Sequence, residues 1–336
     1  MRPDAGRDAF TPLRLVSGAG LEAHILPHGA RLAALHVPTP RGRVNVVLGY
    51  PRPADHAHDT GFLGCVIGRL SGRVARARFG FEGREYALPA NAPPHHLHGG
   101  PGGLHARAWE VRELRAGDSP SAVLGTTLAD GDDGYPGKLE VTATYRLEGL
   151  DLQVELEATA DRATPVSLTL HPYFNLSGDH GRPITDHRLA IHADHVLELD
   201  ATLIPTGRRL AVAGTPFDLR GGALIGERLD TAHPQLAHAR GFDHTYVLAA
   251  GRAGDAELRC AASGLALRVD SNQPGLQFYT GQSLAPPPGV AWRPRCGLCL
   301  EPQGFPNAVN EPGFPAPWLR PGERYRNLIR YAFSAG

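Results

Sequence analysis

Residues 139–160 read LEVTATYRLEGLDLQVELEATA, and this stretch decides the fold class. Apolar and polar side chains alternate on both sides of Glu148-Gly149, a dipeptide typical of a tight turn. A period of two is the pattern of a strand with one buried face, so the stretch predicts a β-hairpin with one solvent-exposed face. The same pattern recurs around Ser17-Gly18, Glu82-Gly83 and Ser263-Gly264, and in the final run from Tyr325 to Phe333. Antiparallel sheets are therefore predicted from end to end.

Composition supports an all-β chain with a large core. The chain has 336 residues, of which 42% are hydrophobic, and it contains 41 glycines and 30 prolines, more than a helical bundle uses. Only residues 223–236 favour a short helix. We therefore predict a large antiparallel β-sandwich with few short helices. Since neither a linker nor a repeat divides the sequence, a single domain over residues 1–336 is expected.

Charge and cysteine content exclude several classes of partner. The 34 basic side chains balance 34 acidic ones, so the chain lacks the positive field of a nucleic-acid or anionic-membrane binder. Its 4 cysteines are too few and too unevenly spaced for a disulfide framework, and we expect them to be reduced and buried. Without an export signal or a long apolar run, the cytoplasm is the expected compartment.

Two glycine-rich segments near residues 70 and 100 carry candidate binding groups. Arg73 lies in the segment 68–74, which leads into a predicted strand over residues 74–79. At the start of that strand its planar donor group could enter a cleft; a solvated surface turn is the alternative. His98 lies in the segment 95–103, where a hydrogen-bonding role is favoured over a metal site because adjacent histidines on an extended chain point to opposite faces. The histidines at 180, 187, 192 and 195 also lack acidic or thiolate companions, so no metal is expected.

Three further polar groups stand at or within predicted strands. His171 follows the apolar strand 164–170 and is either a site residue or a satisfied core histidine. Asp243 leads into a strand over residues 245–248 and either accepts ligand hydroxyls or caps a turn. Glu301 lies in a nearly apolar strand, where an unpaired carboxylate is costly unless a cleft or a partner receives it. The nearby Cys296-x-x-Cys299 has no second cysteine pair, so a zinc or redox site is disfavoured.

Read together, these segments match one family in order and spacing. The chain resembles the aldose 1-epimerases, also called galactose mutarotases, over nearly its whole length. The matching segments are Leu97-His98-Gly99-Gly100, Gly134-Tyr135-Pro136-Gly137, His171-Pro172-Tyr173-Phe174-Asn175-Leu176, Ile204-Pro205-Thr206-Gly207, Phe242-Asp243-His244, the run from Pro274 to Gly281, Leu300-Glu301, and the run from Leu319 to Tyr325.

This resemblance implies a galactose mutarotase-like supersandwich with an open cleft, no metal and no cofactor, which interconverts the α and β anomers of free sugars. The substrate would be a small monosaccharide, and the chain would be a monomer or a homodimer. By motif, Glu301 would be the general base and His171 the general acid. The sugar-binding residues would be Arg73, His98, Tyr173, Asp243 and Gln277. The chain departs from the usual family motifs at Gly72, Pro172 and Pro302, which bears on sugar preference.

The chemistry explains why an acid and a base are required. Opening the hemiacetal removes a proton from the C1 hydroxyl and delivers another to the ring oxygen O5, so two opposed proton carriers are needed. Two other functions use overlapping residues. A glycoside hydrolase would pair Glu301 with Asp243, and a non-catalytic sugar-binding protein would not need both Glu301 and His171. A phosphosugar epimerase is disfavoured because no compact basic cluster stands out.

Overall fold

The computed structural model describes residues 8–249, 254–285, 290 and 292–335, and strands dominate them. In chain order the strands are β1 Leu13–Val16, β2 Glu22–Leu26, β3 Arg31–Thr39, β4 Gly42–Asn45, β5 Val66–Ile67, β6 Arg73–Val74, β7 Arg78–Phe81, β8 Arg84–Ala87, β9 His96–Leu97, β10 Glu110–Arg115, β11 Ser121–Leu128, β12 Leu139–Glu148, β13 Asp151–Ala160, β14 Thr164–Pro165, β15 Thr169–Leu170, β16 Arg188–Ile191, β17 His195–Leu199, β18 Pro205–Ala211, β19 Ala223–Leu224, β20 Asp243–Val247, β21 Ala256–Cys260, β22 Leu265–Ser271, β23 Gly275–Tyr279, β24 Cys299–Gln303, β25 Trp318–Leu319 and β26 Tyr325–Ala335. The helices are α1 Ile225–Leu229 and α2 Pro234–Ala239, with 3-10 turns at Pro53–His58, Ala75–Ala77, Leu104–Ala106, Asp132–Gly134 and Ile184–Asp186.

The strands form a nine-stranded and a five-stranded antiparallel sheet, with smaller sheets beside them. The larger sheet has the order β10-β11-β12-β13-β26-β22-β21-β16-β19, and the smaller has the order β18-β17-β20-β23-β24. The predicted hairpin around Glu148-Gly149 is confirmed as β12 and β13, which pair from Leu139 with Ala160 to Glu148 with Asp151. The strand predicted from Tyr325 to Phe333 is present as β26, and the structure places it between β13 and β22.

The buried faces of both large sheets share one apolar core. Tyr145 and Tyr331 come from the nine-stranded sheet and Phe278 and Leu300 from the five-stranded one, and all four are fully buried in the same cluster. Two facing antiparallel sheets with a shared core are a β-sandwich, which confirms the predicted fold class.

Alternation in the five-stranded sheet separates core residues from cleft residues. Tyr246, Leu276, Phe278 and Leu300 point into the core. The residues between them point the other way and line an open cleft; they are Asp243, Thr245, Gln277, Tyr279, Glu301 and Gln303. The period of two that builds the core therefore also places a row of polar groups on the opposite face.

The helical prediction for residues 223–236 was only partly right. The segment forms the short strand β19 and the helix α1, and a second helix runs from Pro234 to Ala239. The break spans residues 230–233, and its last residue, His233, is extended (φ −152°, ψ 135°) and caps α2 by accepting a hydrogen bond from the Gln235 amide. Because a residue before proline is biased away from helical conformation, His233 is extended and Pro234 begins a new helix.

Two predicted strands are also shorter than expected. The strand over residues 74–79 is interrupted by a 3-10 turn at Ala75–Ala77, where Arg76 and Ala77 have φ values of 53° and 50°. The strand over residues 164–170 exists only as β14 and β15, and all of its residues are buried. Pro165 cannot donate to a sheet ladder, which limits continuous pairing there.

All four cysteines are free and buried, as predicted. Among the described residues, none of the helices has the length and apolar character needed to cross a membrane. The domain predicted for residues 1–336 includes residues 1–7, 250–253, 286–289, 291 and 336, which lie outside the described residues.

Candidate active site

An open cleft of about 660 Å³ lies on the outer face of the five-stranded sheet and brings the predicted site residues together. Its lining includes all seven of them, which are Arg73, His98, His171, Tyr173, Asp243, Gln277 and Glu301. They come from β6, β20, β23, β24 and the loops after β9 and β15, so the fold assembles groups that are up to 228 positions apart in sequence.

Glu301 is placed by strand β24, which is buried at every position. Leu300 faces the core, and the alternation turns Glu301 toward the cleft, opposite Gln277 of β23. Pro302 has no amide proton to donate, and this is tolerated because β24 is an edge strand of its sheet. The carboxylate is 2% exposed, and its Oε2 has no hydrogen-bond partner among the described residues.

His171 is held against Glu301 by its backbone. Its amide donates to the Cys65 carbonyl at 3.0 Å, and its carbonyl accepts from the Gly64 amide at 2.8 Å. This places His171 Nε2 3.6 Å from Glu301 Oε1 and His171 Nδ1 3.5 Å from Cys299 Sγ. The imidazole therefore contacts a carboxylate on one side and a thiol on the other.

Burial changes the proton affinity of both groups. It raises the pKa of Glu301 well above the usual glutamate value, and the nearby Asp243 charge acts in the same direction. It lowers the pKa of His171 to about 4, so that the imidazole is neutral at neutral pH.

The outer part of the cleft is a connected hydrogen-bond chain. Gln277 Nε2 donates to Asp243 Oδ1 at 2.7 Å, and the Thr245 hydroxyl donates to Gln277 Oε1 at 2.5 Å. Arg73 Nη1 donates to the other oxygen of Asp243 at 3.4 Å. Asp243 therefore lies in strand β20 and accepts from two side chains, and it does not cap a turn.

Arg73 and His98 are positioned by one small pairing of strands. Strands β6 and β9 pair Arg73 with Leu97, so the two glycine-rich segments of the sequence are neighbours. The loop after β9 can turn because Gly99 has φ +84°, and a Cβ at Gly99 would lie 2.0 Å from the Gly68 carbonyl oxygen.

His98 is a neutral donor aimed into the cleft. Its Nδ1 accepts a hydrogen bond from the Gly72 amide at 3.2 Å, which leaves the proton on Nε2. Burial lowers the pKa of His98 well below the usual histidine value, and the nearby His171 adds to this effect.

Aromatic rings wall the cleft around the two histidines. The ring centroid of Tyr173 lies 5.1 Å from that of His171. Phe62 lies 4.7 Å from His98 and 6.1 Å from His171, also between centroids, and lines the cleft.

Sequence reasoning missed Phe62, Thr245, Cys299 and Gln303 as site residues. Phe62 gives no local signal, because its contacts come from segments distant in sequence. The other three share a signal that was available. They stand two positions from Glu301 or Asp243 on the same strands, so the same alternation points them to the same face.

Within the described part of the chain, one group of side chains has metal-ligand chemistry. The donor atoms of His171, Cys299 and Glu301 all lie within 4.8 Å of one another. The histidine groups weighed in the sequence analysis form no such cluster among the described residues.

Comparison with known proteins identifies the family. The family model described as aldose 1-epimerase matches residues 12–332. The galactose mutarotase of Homo sapiens is 41% identical over 94% of this chain and 91% of its own length. The aldose 1-epimerase of Escherichia coli (strain K12) is 34% identical over 96% of this chain and 95% of its own length.

Solved structures agree with this assignment. An aldose epimerase homologue from C. elegans superposes with a TM-score of 0.90 at 31% identity, covering 97% of this chain and 99% of that one. Galactose 1-epimerase from Lactobacillus acidophilus NCFM superposes with a TM-score of 0.88 at 29% identity, covering 98% of this chain and 97% of that one. The chain therefore belongs to the aldose 1-epimerase family and is an isomerase of the mutarotase type.

Proposed function

We propose that this chain interconverts the α and β anomers of free aldoses, with Glu301 and His171 as its two proton carriers. The observation that carries the proposal is their 3.6 Å contact at the inner wall of the cleft. The C1 hydroxyl oxygen and the ring oxygen O5 are bonded to the same carbon, so the two carriers must reach two atoms of one small group. Two side chains in contact meet that requirement.

Burial decides which of the two side chains, Glu301 or His171, holds a shared proton. Burial raises the pKa of Glu301 and lowers that of His171 to about 4, so when the pair holds one proton, desolvation favours the uncharged arrangement over the doubly charged one. That proton has two positions. It lies either on Glu301 beside a neutral imidazole or on His171 Nε2 beside an ionised carboxylate.

The two arrangements serve the two halves of the reaction. In ring opening, ionised Glu301 takes the C1 hydroxyl proton, the C1–O5 bond breaks as the carbonyl forms, and His171 Nε2 gives its proton to O5. This leaves protonated Glu301 and neutral imidazole, the arrangement that burial favours. After rotation about C1–C2, O5 attacks the other face of the carbonyl and both protons return. The cycle balances without a cofactor or net proton uptake.

The outer groups bind the sugar in this account. Arg73 and the Nε2–H of His98 donate to sugar oxygens, while Asp243 accepts from hydroxyls. Gln277 is bonded at both ends, so it holds Asp243 in place as well as facing the sugar. Tyr173 packs beside His171 and limits where the pyranose can lie.

The names of the relatives make galactose the first sugar to test, with glucose beside it. We also propose a single domain over residues 1–336, action as a monomer or homodimer, and a cytoplasmic location. The shared apolar core supports the first of these, and the four free buried cysteines agree with a reducing compartment.

Polarimetry or proton NMR of freshly dissolved α-galactose and α-glucose tests the function. The protein should accelerate equilibration of at least one of them, and Glu82→Gln, an exposed turn variant, should match the wild type. Absence of acceleration for every aldose tried would contradict the proposal. Release of reducing sugar from a glycoside, or sugar binding without acceleration, would favour the hydrolase or the binding protein instead.

A further inference from the structure

Gln303 is a cleft residue with unused hydrogen-bonding capacity. It is 1% exposed, lines the cleft, and neither its Nε2 nor its Oε1 has a partner among the described residues. Buried amides are normally hydrogen-bonded, and leaving both ends unpaired is costly. Gln277, on the neighbouring strand, has both ends bonded to protein. Gln303 is thus an amide held ready for a ligand.

The order of groups along β24 fixes where that ligand atom must be. Cys299, Glu301 and Gln303 occupy alternate positions of one strand, so their side chains share a face at intervals of about 6.7 Å. His171 lies toward the Cys299 end, since its Nδ1 is 3.5 Å from Cys299 Sγ. Gln303 is therefore on the opposite side of Glu301 from the imidazole.

Gln303 borders the open cleft directly, and its neighbour on β23 is small. Its cross-strand neighbour is Gly275, which presents no side chain to the cleft. A Cβ at Gly275 would lie 2.8 Å from the Thr245 side chain and 3.1 Å from the Gln303 carbonyl oxygen. A larger residue at position 275 would collide with the Thr245 side chain and press on the backbone of Gln303.

The bonds around C1 of a pyranose match the order in which His171, Glu301 and Gln303 lie along the cleft. C1 is bonded to O5 on one side and to C2 on the other. With the C1 hydroxyl at Glu301 and O5 toward His171, C2 and its hydroxyl point toward Gln303. This placement rests on the proposed function.

We propose that Gln303 binds the 2-hydroxyl of the aldose, and that the protein selects sugars carrying that hydroxyl. A hydroxyl is both donor and acceptor, so it can satisfy the amide of Gln303. The contact also has a use during turnover. Inversion rotates the carbonyl about C1–C2, and holding the C2 oxygen keeps the rest of the sugar in place while C1 turns.

Matched sugars test the proposal without altering the protein. Rates are compared for glucose, 2-deoxyglucose and 6-deoxyglucose, each relative to its own uncatalysed rate. Loss of the 2-hydroxyl leaves Gln303 unpaired, so wild-type kcat/KM for 2-deoxyglucose should fall about 10- to 100-fold below glucose. The fall for 6-deoxyglucose should be smaller. Equal handling of glucose and 2-deoxyglucose would overturn the proposal.

Gln303→Ala provides the second arm, with Gln153→Ala on the outer face of the nine-stranded sheet as control. The Gln303 variant should lose about tenfold or more on glucose but less than about threefold on 2-deoxyglucose, since that sugar never makes the contact. Equal losses on both sugars would show a structural role and overturn the proposal. A wild type that accelerates none of these sugars would instead refute the proposed function. If Gln303→Ala does not fold, the wild-type comparison decides alone.

Discussion

The inner and outer ends of the cleft are built on opposite principles. At the outer end Arg73, Asp243, Gln277 and Thr245 form one hydrogen-bond chain, and Arg73 and Asp243 keep 24% and 16% of their side-chain surface exposed. At the inner end Glu301 is 2% exposed, and its Oε2 has no partner among the described residues.

In the proposed function, this difference separates the groups that bind the sugar from those that transfer protons. Groups already bonded to one another are held in position and can accept a sugar without rearrangement, which favours affinity. A buried carboxylate with an open oxygen is unstable as a charge, and that instability makes it a proton acceptor of raised basicity. The comparison predicts that inner variants lose rate and that outer variants lose affinity.

Glu301→Gln should have the largest effect, because an amide cannot take the C1 hydroxyl proton. We expect kcat to fall about 10³-fold or more while KM changes less than about threefold. NMR exchange between the anomers measures both constants. A rise in KM as large as the fall in kcat would show that Glu301 acts mainly in sugar binding, and would contradict the distinction between the two ends of the cleft.

The pH profile should show a displaced acidic limb. The pair gains a second proton as the pH falls through the lowered His171 pKa of about 4, so kcat/KM should hold down to about pH 5 and fall below it. On the alkaline side, activity ends when the shared proton leaves. An acidic limb near the free histidine value of about 6.5 would contradict the buried, neutral imidazole.

Asp243→Asn should affect affinity more than rate. The substitution removes one acceptor from between Arg73 and Gln277 and places amide protons against their donors. KM should rise about tenfold or more, with kcat reduced less than about fivefold. Steady-state kinetics over a wide range of sugar concentration separate the two. A kcat loss as large as that of Glu301→Gln would instead favour a carboxylate pair.

The smallest expected effect is on the stability of Glu301→Gln, and it checks the raised pKa of Glu301 independently of activity. The folded pKa of Glu301 lies above its unfolded value of about 4.3, so the wild type loses stability as pH rises above that value toward the folded pKa. Glu301→Gln lacks this titration, while the opposite contribution of His171 is present in both proteins. The melting temperature of the variant should therefore gain a few degrees on wild type as the pH rises above about 4. A constant difference across that range would contradict the raised pKa.

Local patterns predicted much of the fold. Hairpins such as β12 and β13 depend on alternation and turn residues that lie next to one another in sequence. Glu301 could be suspected for the same reason, since a carboxylate in a nearly apolar strand needs a physical explanation. The resemblance then connected it to His171.

Other features depend on contacts that one sequence does not display. Phe62 packs against His98 and His171 from a separate loop, and the Cys299 thiol beside His171 was read only as part of a weak motif. The lowered pKa of His171 results from complete burial, which no local pattern reports. The helix break before Pro234, by contrast, has a cause visible in the sequence, since a residue before proline is biased away from helical conformation.

A double-mutant cycle on the inner pair tests the central claim most directly. Anomer exchange is measured for wild type, Glu301→Gln, His171→Asn and the double variant. In the proposed mechanism the two groups transfer protons in one step, so removing either should disable the other, and the double variant should lie within about threefold of the slower single variant. Losses that multiply would show that the two side chains act independently, and would contradict the account.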